Sequence, residues 1–241
     1  MRQDKEQASV ARRSFLSRIA AAAGAFGAAF GGASVAGAQS APAASASTGG
    51  FQPAHHAEDD WFDQTTAKHR FFYDTTSAGG YGQALFFVRN YFTANASGYK
   101  LGDEDLAQII CMRHESTSFA FNDAMWTKYG AALSERAGKF LDPKTNQAPT
   151  HNVYLASGYG ESLRNVNVTI DQLAKRGVRF AVCSMATRAA AQLIATKTGA
   201  NADAVFKELT ENLVANGHMV SAGIVAVNRA QERGYSFAYV M

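Results

Sequence analysis

Cysteine is almost missing from this chain. The two that occur, Cys111 and Cys183, are too few to staple a domain cut from 241 residues. A disulfide framework is therefore excluded, while one bridge or two separate thiols both stay open from the count alone. Long apolar runs are missing too: beyond residue 38 no stretch approaches the ~20 apolar residues that span a bilayer. A surplus of one charge is equally absent once the N-terminal segment is set aside. Five of the 23 basic and two of the 20 acidic residues lie within the first 38 positions, which leaves 18 of each. The basic character of the whole chain belongs to that segment, so it gives no support to a nucleic-acid or anionic-membrane partner. No nucleophile elbow, paired-cysteine zinc motif or phosphate-binding P-loop occurs, and no cofactor is called for.

What is present begins with an address. Ala11-Arg12-Arg13-Ser14-Phe15-Leu16 precedes an uncharged run from Ile19 to Ala38, which closes on the small-x-small signal Ala36-Gly37-Ala38. This order matches a twin-arginine export signal. The expectation is a signal over 1–38, a chain that starts work near Gln39, and a periplasmic location. Retention of the weakly apolar segment as an anchor stays open.

Residues 39–67 read as a flexible linker. Its first part is Ala, Ser, Pro, Thr and Gly, with nothing to bury. Its second part sets Trp61 and Phe62 among His55, His56, Glu58, Asp59 and Asp60, which suits an aromatic anchor better than a metal site. From Lys68 onward, strand and helix patterns alternate. Strands are expected at 69–73, 106–112, 178–183, 219–221 and 235–240, with helices at 83–92, 123–129, 170–176, 185–197, 202–216 and 224–233. Residues 75–82 read as a glycine-rich turn, and 138–162 as an aperiodic excursion. Alternation of this kind implies an α/β/α three-layer sandwich around a mostly parallel sheet of about five strands. Strand order does not follow from the pattern.

In an open parallel sheet, ligands gather at the carboxyl ends of the strands. Here those ends carry Asp74 and Thr75, then Arg113, His114 and Ser116, then Cys183 and Ser184, then Ser221 and Gly223. Cys183 closes a strand just before a helix, where peptide N–H groups and the helix dipole favour a thiolate. His114 is expected to exchange a proton with it, and Arg113 to hold an anionic group. Asp74, Thr75, Ser116 and Ser184 are the expected ligand-binding residues. Cys111, between Ile110 and Met112, reads as a core residue with no bond to Cys183. A soft metal set of Cys183, His114 and Met112 is a weaker alternative, because Met112 should face away from Cys111 on its strand.

Gly177-Val178-Arg179-Phe180-Ala181-Val182-Cys183, Val220-Ser221-Ala222-Gly223-Ile224-Val225-Ala226-Val227 and Ala230-Gln231-Glu232-Arg233-Gly234-Tyr235 resemble the DsrE-like family of small α/β proteins. The segments 79–85 and 113–120 look like its exported members, and together the matches cover most of 68–241. The resemblance implies a parallel-sheet α/β fold, often assembled as trimers or hexamers. It also implies a cysteine, matched here by Cys183, that carries a persulfide and exchanges sulfur with a donor or acceptor protein. A second expectation from the same edge is a non-catalytic module for small-ligand binding or assembly.

Overall fold

Leu106–Met112 has no residue open to solvent, and a strand covered on both faces belongs in the middle of a sheet. The computed structural model describes residues 51–241, and this strand is the centre of its sheet. Five strands, β1 (His69–Thr75), β2 (Leu106–Met112), β3 (Arg179–Cys183), β4 (Gly217–Val220) and β5 (Ser236–Val240), run in the order β4-β3-β2-β1-β5. Every pairing is parallel. The export signal and the first part of the expected linker lie outside the described residues.

Alternation along the strands divides the apolar side chains between two cores. Tyr73, Ile110, Met112, Phe180 and Val182 face the larger one, together with helices α1 (Ala78–Tyr99), α2 (Asp123–Arg136) and α4 (Ser184–Thr198). The short helix α3 (Ile170–Ala174) and α5 (Ala202–Glu211) complete that layer. Phe72, Ile109, Cys111 and Ala181 face the smaller core, under helix α6 (Gly223–Glu232). The result is the expected three-layer α/β/α arrangement, with a sheet that is wholly parallel. Among the described residues no helix is long and apolar enough to cross a membrane.

Several local expectations are corrected. The linker expected through residue 67 contains a 3-10 helix, Ala57–Phe62, packed on the domain. Trp61 and Phe62 are buried in the smaller core, the Tyr235 hydroxyl donates to the Phe62 carbonyl at 2.7 Å, and the Arg179 guanidinium donates to the Trp61 carbonyl. Asp59 and Asp63 pair with Arg229, Arg233 and Arg70 across the same contact. Trp61 and Phe62 are thus the expected aromatic anchor; the helical turn and its long-range ion pairs are what local composition did not show.

The glycine-rich turn is shorter than expected. Ser77 Oγ accepts the Gly80 N–H at 3.0 Å, and this cap starts α1 at Ala78. Helix α2 does not stop at Tyr129. It kinks there, with φ −125° and ψ 16°, and continues to Arg136. The kink lies where the backbone of Gly130 meets the Pro149 carbonyl, so close that an added Cβ would stand 2.1 Å from that oxygen. Helix α5, expected to reach 216, ends at Glu211, after which Leu213 bridges to Phe121.

The 138–162 excursion is packed rather than loose. Buried Asn152 donates to the Phe119 and Phe121 carbonyls at 2.8 and 2.9 Å, and the Tyr154 hydroxyl donates to the Ala78 carbonyl at 2.7 Å. These bonds lay the segment over the start of α1 and the stretch that leads into α2.

Candidate functional site

Three chain crossings build the carboxyl edge of the sheet. After β2 the backbone enters the left-handed region at His114, φ 61°, which lifts the imidazole out into solvent. After β3 the chain turns directly into α4, with Cys183 as its N-cap. After β4 it passes through Ala222 into α6. Between them lies a groove of about 270 Å³, lined by Cys183, His114, Arg113, Arg136, Met185 and Ile224 among others. Met185 and Ile224 form an exposed apolar rim. A larger hollow of about 410 Å³ lies at the opposite edge; it is lined by the paired Asp103 and Arg176 among others, with no cysteine or histidine.

Cys183 is a free, buried thiol, 7% exposed as a residue, in the wall of the groove. Its Sγ accepts the Ala186 N–H at 3.4 Å, and Thr187 Oγ1 donates to its carbonyl at 3.0 Å. The first of these holds the sulfur against the start of α4. Among the described residues no hydrogen bond joins Cys183 to His114, although both line the groove.

Arg113 departs from its expected role. Its Nε and Nη2 donate to the two carboxylate oxygens of Asp74 at 2.7 and 2.8 Å. That contact is the main reason its guanidinium is held even more firmly protonated than usual. The Nε and Nη2 side of the guanidinium is thus committed to Asp74, which also balances its charge. Three of the four expected ligand-binding residues are likewise engaged within the protein. Asp74 is buried and occupied by Arg113. The buried Thr75 hydroxyl donates to the Cys111 carbonyl at 2.7 Å, and buried Ser116 Oγ lies 2.9 Å from the Thr75 and Arg113 carbonyls. These groups brace the strand ends from below. Ser184, the first residue of α4, is half-buried beside Cys183.

Cys111 is fully buried, and its Sγ donates to the Gly223 carbonyl at 3.8 Å. Burial first, and then the nearby Asp74 charge, push its thiol pKa well up, which makes it a poor nucleophile. It pairs in register with Ala181, so Cys183 stands one two-residue step further along the same face. That diagonal is about 8 Å between Cα atoms, beyond the ~7 Å that a disulfide spans. Both thiols are free. Met112 belongs to the opposite core, so the soft metal set with Cys183 and His114 is not assembled.

Gly223 explains how α6 comes so near. A Cβ there would stand 2.6 Å from Arg113 Cβ and 3.0 Å from Cys111 Sγ. Only a residue without a side chain lets the helix start descend onto the strand ends and close the groove.

Arg136 is the residue that the sequence reading missed. It ends α2, lines the groove, and reaches it only because the helix continues past its kink. Gly138, at φ 76°, was the available signal, since a left-handed glycine commonly closes a helix. The site therefore offers a thiol at a helix start, a solvent-facing imidazole and two guanidinium groups, one of them neutralised. Comparison of the chain with family models, curated proteins and solved structures returned no match.

Proposed function

We propose that this is an exported DsrE-like protein that carries sulfane sulfur on Cys183. The observation that carries the reading is the setting of Cys183: a free thiol at the start of α4, opening onto a groove shared with His114 and Arg136. The α/β/α fold and the position of this cysteine agree with what the resemblance implies, and export rests on the Arg12-Arg13 signal.

The chemistry is a sulfur transfer. The Cys183 thiolate bonds to one sulfur of a polysulfide, the adjacent S–S bond breaks, and the electron pair leaves with the shortened polysulfide. Cys183 is left as a persulfide and no outside oxidant is consumed. His114 takes the thiol proton before attack, and the Ala186 N–H steadies the sulfur that remains on the protein. The apolar rim of Met185 and Ile224 offers contact to a donor or acceptor protein. The test is mass spectrometry of the chain after exposure to polysulfide. A gain of one sulfur atom mapped to Cys183, absent in Cys183→Ser and kept in Cys111→Ser, is the expected result. No gain at Cys183 contradicts the reading.

One observation favours a second reading, a non-catalytic binding module. The groove holds an uncompensated cation, and that cation attracts a small anion whether or not the thiol reacts. In that case Cys183→Ser leaves ligand binding and assembly intact, and no sulfur is found on the chain.

A further inference from the structure

Ten arginines lie among the described residues, and nine of them have a hydrogen-bond, ion-pair or aromatic partner. Arg136 has none. Its Nε is closed off from solvent and has no acceptor. The side chain as a whole is half-buried, and its terminal nitrogens are not enclosed; with no ion-pair partner, they are what can take an anion. Arg136 also lies in a groove rather than on an open surface.

The rest of the groove fits the same ligand. The Arg113 charge is neutralised by Asp74, so Arg136 is the guanidinium left uncompensated, with His114 beside it. Helices α4 and α6 both begin at the groove, through Cys183 and Ala222. Side chains of Ser77, Asn122, Thr169, Cys183 and Asn201 cap the other α-helices, whereas no side chain caps α6. Its first peptide N–H groups are left for a ligand.

We infer that Arg136 makes the groove an oxyanion site, which selects sulfur donors that end in a charged oxo group, such as thiosulfate. The anion site stands on its own, and its use for donor selection rests on the sulfur-carrier reading. With thiosulfate, the Cys183 thiolate bonds to the outer sulfur, the S–S bond breaks, and the electron pair leaves with sulfite. Cys183 becomes a persulfide. Negative charge gathers on the departing sulfite end, where Arg136 holds it.

Two arms separate this inference from the reading beneath it. In the first, sulfate is titrated at constant ionic strength while backbone amide resonances are followed. The Met185, Gly223 and Ile224 amides are expected to shift in the natural chain and in Cys183→Ser. In Arg136→Gln the affinity is expected to fall about tenfold or more, with partial recovery in Arg136→Lys. In the second arm, the reaction of Cys183 is followed by mass with thiosulfate, which leaves a persulfide and releases sulfite, or with a neutral dialkyl trisulfide, which leaves an alkyl disulfide or trisulfide on Cys183 and releases an alkyl persulfide or thiolate. Arg136→Gln is expected to slow the first about tenfold and leave the second unchanged. Groove amides that sulfate does not move in the natural chain overturn the anion site, whatever the variants do. Equal slowing with both donors overturns donor selection alone. If neither donor loads Cys183 while sulfate still binds through Arg136, the sulfur-carrier reading fails and the anion site stands.

Discussion

At the scale of single residues, the two thiols differ in what closes over them. Cys111 and Cys183 sit on the same face of neighbouring strands, one two-residue step apart. The lower one is sealed under Gly223 and pushed up by burial and by Asp74, while the upper one meets the groove. Arg113 and Asp74 pair beside Cys111, at the ends of β2 and β1. Because Asp74 is almost wholly enclosed, the pair braces the site more than it serves it. Asp74→Asn removes the charge from that bracing and leaves Arg113 with one weakened partner. We expect a loss of about 2 kcal/mol in urea denaturation, below the full value for a buried pair because Arg113 is a quarter exposed. The same change should tighten sulfate binding in the groove by releasing Arg113. An unchanged urea midpoint would contradict the bracing role.

At the scale of elements, the 3-10 strap over Ala57–Phe62 couples the edge strand to pH. Trp61 stacks on His218 of β4 with ring centroids 4.5 Å apart. Partial desolvation first, and then the Arg179 charge, hold the His218 pKa below its ordinary value. The unfolded chain thus accepts a proton that the folded one resists. Stability from the neutral ring is complete above the ordinary histidine value of about 6.5 and is lost as pH falls below it toward the folded value. The melting temperature of the natural chain should therefore drop more between about pH 7.5 and pH 5.5 than that of His218→Gln. Equal drops would show that the stack is not coupled to folding.

The same scale shows what could be read from letters alone. The boundaries of β2 were legible because seven consecutive apolar or buried-compatible residues leave no other place for it. Helix α3 and the start of β3 were legible because the capping box at Thr169 and the turn at Gly177 frame the helix. What escaped was set by contacts distant in sequence. Gly130 looks like a helix end until Pro149 is known to press on it, and Asp74 looks like a ligand until Arg113 is found against it.

For the whole molecule, the strand order explains why the groove forms at one edge. The three crossovers from β1 to β4 step in one direction, and the last, through α6, returns past all of them to place β5 beside β1. That return brings the start of α6 down beside the start of α4, with Cys183 between them and Arg136 delivered from the other layer by α2. The central claim is that, in the folded protein, one thiol is open to chemistry and the other is not. Alkylation of the native chain with iodoacetamide, followed by peptide mapping, tests it most directly. Modification confined to Cys183, with Cys111 labelled only after denaturation, is the predicted result; a native chain in which Cys183 stays unmodified, or in which both react at the same rate, would contradict it.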